Sequence, residues 1–219
     1  MTFLSVYKCL FKHYGPQQWW PGETPFEVMV GAVLTQNTAW SNVEKAIVNL
    51  KQSNSLTAAK ISAIPAVDLG ELIRPAGYFN VKAKRLQNFC SWFLGQGGEK
   101  ALNGLDDIEL RNGLLSVNGV GPETADDMLL YAFNRPVFVI DAYTRRIFSR
   151  LGLVTGDEGY EKLRHQFELQ LRSKIKQRDE LVNIYNEYHA LIVLHAKDVC
   201  RKKSRCSDCC LRSQCQAAE

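Results

Sequence analysis

The sequence contains no run of about 18 uninterrupted apolar residues, so no membrane-spanning helix is expected. Its first stretch, MTFLSVYKCLFKHYG, is too short and too charged to read as a secretory signal. Internal repeats and low-complexity linkers are missing, which excludes a solenoid. Strand signals are almost absent: VFVI (137–140) is the one candidate, too short and too isolated to build a sheet. What remains is a soluble, intracellular protein, expected in the cytoplasm. Its 219 residues, 46% hydrophobic and 23% charged, suffice for one large domain or two small ones around a real core. The net charge is +4, and five basic residues against two acids after position 199 put three of those charges in the last twenty residues. Such a balance favours a polyanionic partner.

Helical signals fill most of the chain. Thr24-Pro25-Phe26-Glu27 has the pattern of a capping box with proline at the first helical position. Further apolar residues recur at three- and four-residue spacing through AWSNVEKAIVNLKQ, VDLGELIRPAG (closed by Pro75), VKAKRLQNFCSWFLG, DDIELRNGLLS, PETADDMLLYAF, DAYTRRIFSRLG, YEKLRHQFELQL and DELVNIYNEYHALIVLHAK. The expected fold is all-α with short connections.

Gly119-Val120-Gly121 invites comparison with a dinucleotide-binding loop, but two features are lacking. Position 124, where a third glycine would stand, is threonine, and the preceding segment is helical rather than a strand. A helix, a tight turn and a second helix starting at Pro122 make a helix-hairpin-helix. Glycines there allow close approach of a phosphate, and free N–H groups at the helix start offer donors. Such contacts position a nucleic acid without reading its sequence. The same residues also suit a plain interhelical turn.

Taken together, LLSVNGVGPETADDMLLYAFNRPVFVIDAYTRRIF, PFEVMVGAVLTQNT, GYFNVKAKRL and the cysteine-rich tail resemble, in order, the motifs of the endonuclease III superfamily of DNA glycosylases. The resemblance spans nearly the whole chain. It implies double-stranded DNA containing a damaged base as partner, removal of that base as the reaction, and a monomeric protein. It makes Asp141 the essential aspartate that faces the sugar of a flipped nucleotide. Cleavage of the N-glycosidic bond builds positive charge on the sugar, which a fixed carboxylate stabilises while it orients water. Read locally, Asp141 is also an N-cap for the helix that follows, and the two roles are compatible. Arg145 and Arg146 are candidates for phosphate contacts or a solvated helix face.

Strand-cutting members of that superfamily carry a lysine two residues beyond the second hairpin glycine, whose amine forms a Schiff base with the sugar. Position 123 is glutamate, which cannot form an imine. The expectation is a monofunctional enzyme that uses water and leaves an abasic site. QQWWPGETPFEVMVGAVLTQNTAW is similar to the 3-methyladenine DNA glycosylase III branch, in which the residues matching Trp19, Trp20, Pro21 and Trp40 line the base pocket. That resemblance implies alkylated, cationic purines as substrates, since an aromatic face attracts a cation. Trp92 reads as core. Gln36 and Tyr78 match positions that enter the duplex near the vacated base, or are a buried polar group and a packing aromatic. Lys82, Lys84 and Arg85 read as DNA-backbone contacts or a solvated face. An oxidised-pyrimidine glycosylase of endonuclease III type and a non-catalytic DNA-binding module are the competing readings.

Cys200, Cys206, Cys209 and Cys215 are separated by five, two and five residues. One CxxC bracketed in a compact loop differs from the two distant knuckles of zinc ribbons and suits a [4Fe–4S] cube. The resemblance implies the same cluster, although the superfamily's first gap is six residues rather than five; zinc is the alternative. Cys210 is a spare or substitute ligand, and Cys9 and Cys90 read as packing residues. The loop would turn Lys202 and Lys203 toward phosphates. The expected organisation is a barrel-like helical domain over 24–135, a second domain from 1–23 and 136–199, a cluster loop over 200–219, and a DNA cleft between the two lobes.

Overall fold

A computed structural model describes residues 1–19 and 22–218. Among these residues there are α-helices and short 3-10 and π turns and no strands. The α-helices are α1 (Phe3–Tyr14), α2 (Pro25–Leu34), α3 (Trp40–Gln52), α4 (Ala58–Ala63), α5 (Ala66–Leu72), α6 (Phe79–Gly95), α7 (Gly98–Asn103), α8 (Asp107–Leu115), α9 (Pro122–Asp127), α10 (Ala142–Arg150), α11 (Tyr160–Arg172) and α12 (Arg178–Asp198). They fall into two compact units, Trp20–Arg135 and Met1–Trp19 with Pro136–Glu219.

The unit Trp20–Arg135 is built around α2. Thr24 caps that helix by accepting a hydrogen bond from the Glu27 backbone N–H (3.1 Å), with Pro25 at its start. The reciprocal half of the expected capping box is replaced by another contact: the Glu27 carboxylate lies 2.9 Å from Lys51 Nζ. Val28, Met29, Val30, Ala32, Val33 and Leu34 are all buried, so α2 is apolar on every side, as a helix enclosed by other helices must be. Helices α3, α6 and α9 and the π turn Met128–Ala132 pack against it. The expected helix PETADDMLLYAF therefore runs as a short α-helix and then a π turn, whose residues are all buried.

The second unit has an aromatic centre. Phe3, Phe148 and Phe167 stack around one another with centroids 4.5–5.3 Å apart, and Phe138 stacks on Phe167 at 4.5 Å. Each buried ring contributes about 1.5–3 kcal/mol through area removed from water. Tyr188 closes the cluster, and its hydroxyl donates to the Phe3 carbonyl (2.7 Å), so its one polar atom is satisfied. VFVI forms no strand among the described residues. Instead the Phe138 N–H donates to the Glu168 carboxylate (3.1 Å) and the Ile140 N–H to the Tyr160 hydroxyl (3.4 Å). Side chains thus supply what a sheet would have supplied, and they fix the path of the chain into Asp141.

Candidate active site and cysteine loop

The hairpin joins α8 to α9. Asp106 and Glu109 form a capping box at the start of α8, and the Val120 N–H closes the turn onto the Val117 carbonyl (3.0 Å). Gly119 sits at φ +99°, and a Cβ there would lie 2.3 Å from Arg85 Cγ, so both conformation and space require glycine. Gln36 braces the turn: its Nε2 donates to the Gly119 carbonyl and to Thr124 Oγ1, each at 2.9 Å, while Arg85 donates to its Oε1. Its amide is thus engaged within this unit. Gly121 is the exposed N-cap of α9 at φ −91°, and a Cβ there would meet no other atom within 4 Å. Of the acids that follow, Glu123 is exposed, whereas Asp126 is fully buried and takes a forked contact from Arg111.

The loop before α6 carries Tyr78 in the left-handed region (φ 46°, ψ 30°) with 71% of its surface exposed. A tyrosine held in that backbone region is uncommon, and here it directs an aromatic ring outward. The expectation for Lys82 requires correction. It is 1% exposed, and its Nζ donates to the carbonyls of Leu34 and Ala76, both at 2.8 Å. Burial, with a smaller contribution from Arg85, pushes its pKa down to about 8. Lysine with its long stem lets one charge satisfy two carbonyls where α2 ends and the Tyr78 loop begins. Lys84 is exposed and Arg85 half-buried.

In the other unit Asp141 is the N-cap of α10. Its Oδ1 accepts from the Thr144 N–H (2.6 Å) and the Thr144 hydroxyl (2.8 Å), while Oδ2 stands 3.6 Å from His189 Nε2 on α12. Burial raises the carboxyl's pKa, but the nearby His189 and the two Thr144 donors outweigh it, and the net shift is downward. Asp141 is therefore held as a carboxylate. The half-buried Trp19 ring lies 6.2 Å from the His189 ring at a 37° tilt, so an aromatic, an imidazole and a carboxylate form one continuous group. Trp20 and Pro21, expected beside Trp19, lie outside the described residues. Trp40 belongs to the other unit, where it opens α3 against the bare backbone of Gly31. Arg145 Nη1 donates to the Gly156 and Glu158 carbonyls, and Arg146 to those of Ala196 and Cys200, so both arginines hold neighbouring backbone.

A profile described as HhH-GPD superfamily base excision DNA repair protein matches residues 30–172, which include the hairpin and Asp141. The chain belongs to this superfamily. It is a DNA glycosylase of base excision repair, an enzyme acting on N-glycosyl bonds. A protein of Methanocaldococcus jannaschii with the provisional name DNA repair glycosylase is 49% identical to it over 214 residues, covering 96% of this chain and 94% of the relative. The crystal structure of Helicobacter pylori 3-methyladenine DNA glycosylase (MagIII) bound to 1,N6-ethenoadenine superposes with a TM-score of 0.79 at 30% identity, covering 90% of this chain and 98% of that one. A non-covalent endonuclease III–DNA complex gives the same TM-score at 22% identity, covering 99% and 96%, which establishes the shared fold. No helix of the described residues is long and apolar enough to cross a membrane.

In this HhH-GPD glycosylase, residues 200–218 form the cysteine-rich loop. No disulfide joins any of the seven cysteines, all of which lie among the described residues. Burial raises the Cys209 pKa, and the proximity of Cys200, Cys215 and Cys206 raises it further, so these four sulfurs share one neighbourhood. Cys210 faces the other way, toward Cys9, whose thiol donates to the Cys210 carbonyl (3.2 Å). Arg150 secures the loop: it donates to Cys200 Sγ (3.2 Å) and to the carbonyls of Arg201 and Lys202. The buried His195 bridges Tyr14 Oη (2.8 Å) and Cys209 Sγ (3.6 Å). An all-thiol set of four suits an iron–sulfur cube or zinc in kind, although among the described residues no three His, Cys, Asp or Glu side chains are gathered as tightly as a bound ion would hold them. Cys90 is fully buried, and Lys202 and Lys203 are exposed.

His189, Thr144 and Glu168 were not singled out by the sequence. A histidine among apolar residues at helical spacing looks like core, and nothing local connects residue 189 with residue 141. The threonine three residues after Asp141 is the one signal available in the sequence: its hydroxyl can add a second donor to the backbone N–H that an N-cap acid accepts there.

Proposed function

We propose that this glycosylase removes alkylated, cationic purines from double-stranded DNA by hydrolysis and has no lyase step. The observation that carries the reading is the ionised Asp141, fixed by Thr144 and faced by His189, whose ring lies 6.2 Å from that of Trp19. The base leaves with the electron pair of its glycosidic bond. Because N-alkylation has already made it cationic, it departs neutral and needs no proton from the enzyme. The sugar becomes oxocarbenium-like and is stabilised by the Asp141 carboxylate; water then adds at C1′ and releases a proton, leaving an abasic site. Trp19, Trp20, Pro21 and Trp40 are the proposed pocket, where each good aromatic contact to a cationic base is worth about 0.5–2 kcal/mol. The MagIII structure, 30% identical, holds 1,N6-ethenoadenine, a modified purine, which supports a damaged purine as the substrate. Glutamate at 123 supports the hydrolytic route, since it has no amine to attack the sugar.

The backbone around Gly119 and Gly121 is the proposed phosphate grip, with Tyr78 at the opened base pair and Lys202 and Lys203 toward the DNA backbone; Gln36 and Arg145 would join them only by giving up the contacts that hold them within the fold. Cys200, Cys206, Cys209 and Cys215 are the proposed ligands of a [4Fe–4S] cluster. Such a group would supply structural order to residues 200–219 and take no part in bond cleavage.

The decisive experiment compares base release from alkylated DNA and thymine-glycol DNA by the wild type, Asp141→Asn and Glu123→Lys. Release of alkylpurine by the wild type, and its loss in Asp141→Asn, is expected. Release of thymine glycol alone would overturn the substrate, and a borohydride-trapped covalent complex of the wild type with abasic DNA would overturn the hydrolytic route.

A further inference from the structure

We infer that His189 is a positioning residue for the excision reaction, fixing the plane of the Asp141 carboxylate and tying it to the Trp19 ring. The inference rests on the proposed role of Asp141. Both Thr144 donors act on Oδ1, one of the two oxygens that define the carboxylate plane. The second oxygen, Oδ2, is faced by His189 Nε2, 3.6 Å away, which reinforces that orientation from a different helix. The nitrogen facing a carboxylate carries a proton, whether the ring is neutral or charged. Helices α10 and α12 pack directly on each other, so the contact is carried by rigid elements rather than a loop.

Both side chains are largely withdrawn from water, which strengthens an electrostatic contact that would be negligible on the surface. At 3.6 Å it is longer than a tight charge-assisted hydrogen bond, a spacing common in catalytic groups before substrate is bound. The imidazole ring also lies 6.2 Å from that of Trp19. A shift of His189 therefore moves two things at once: the oxygen that must face the sugar, and the aromatic proposed to hold the base. In a reaction that depends on placement, an error of about 1 Å costs on the order of 100-fold in rate.

The test uses the full chain and three substitutions, His189→Leu, His189→Gln and His189→Phe, with excision kinetics on DNA containing the base that the wild type releases. His189→Leu removes the donor and is expected to lower kcat by about 10- to 100-fold with KM nearly unchanged. It should also move the acid limb of the kcat–pH profile to higher pH, because Asp141 loses the partner that favours its charged form. Gln places an N–H near the position of Nε2 and should restore most of kcat and return the acid limb; Phe, which keeps only the ring, should restore neither. A merely structural role would move the melting temperature of all three and leave the acid limb in place. Unchanged kcat and acid limb in His189→Leu, while Asp141→Asn is inactive, would overturn the inference and spare the function. Release of thymine glycol instead of alkylpurine would sink the substrate reading, and the same three variants would then be judged on thymine glycol. No base release from either DNA by the wild type would overturn both.

Discussion

Arg111 on α8 lays its guanidinium along the carboxylate of Asp126 on α9, with Nε–Oδ1 at 2.7 Å and Nη2–Oδ2 at 3.3 Å. The pair joins the two helices of the hairpin behind its glycine turn, and Asp126 is entirely buried. An ion pair of this kind contributes little net stability when intact, yet losing one partner leaves a charge stranded in a poor solvent. Arg111→Met is therefore expected to destabilise the protein by about 3–5 kcal/mol. The double change Arg111→Met, Asp126→Leu should recover much of that loss. Chemical denaturation of the two variants beside the wild type checks this; equal stability of all three would show that the pair does not hold the hairpin.

The two hairpin glycines are expected to behave differently. At Gly119 a methyl group meets Arg85 Cγ and the backbone stands at φ +99°, so Gly119→Ala should cost about 1–3 kcal/mol and loosen the Gln36 brace. At Gly121 the backbone is ordinary and the space open, so Gly121→Ala should change stability by less than about 1 kcal/mol. If Gly121 is where a phosphate approaches, its alanine variant still loses affinity for undamaged duplex DNA, because the methyl group stands in the way. Undiminished DNA binding by a stable Gly121→Ala would remove the phosphate grip from that position.

Local chemistry made the helices legible. Thr24 and Asp141 cap where a side-chain oxygen three residues before a free N–H must, and α2 is as apolar as an enclosed helix has to be. What escaped were outcomes of packing between distant segments. Lys82 looks like a solvent-facing base in GYFNVKAKRL, and only the convergence of two helix ends turns it inward. VFVI reads as a strand because its residues are β-branched and aromatic, but no second segment of that kind exists to pair with it. The positions of Asp141 and Glu123 were legible through family resemblance; the partnership of Asp141 with His189, 48 residues away, was not.

The cysteine loop makes two separable predictions. If Cys200, Cys206, Cys209 and Cys215 hold an iron–sulfur cluster, the purified protein is brown with absorbance at about 400 nm. Cys209→Ser should lose the colour, whereas Cys210→Ser should keep it, because Cys210 turns toward Cys9. A colourless wild type containing zinc would decide for the other metal. Independently, replacing the exposed Lys202 and Lys203 with alanine should lower DNA affinity evenly across sequences. It should also make the slope of log K against log salt shallower by roughly 2, since each phosphate contact contributes about 0.9. An unchanged slope would place both lysines away from the DNA.

Lys82 gives a prediction in pH. In the unfolded chain its amine keeps the ordinary lysine pKa of 10.5, while burial in the fold lowers it to about 8. Between those values the unfolded state binds a proton that the folded state has released, so this group makes stability rise with pH across that window. Below about pH 8 both states are protonated, and the folded protein bears the full cost of a buried ammonium, partly offset by its two carbonyl partners. Lys82→Met lacks the titrating group. The stability difference between wild type and Lys82→Met should therefore shift in favour of the wild type as pH rises from about 7 to 10, by at most about 1.4 kcal/mol per pH unit within the window. Urea denaturation of both proteins at about pH 7, 8.5 and 10 measures it. A difference that stays constant across the three would mean that Lys82 titrates in the fold as it does in the unfolded chain, and that its two carbonyls compensate fully for its burial.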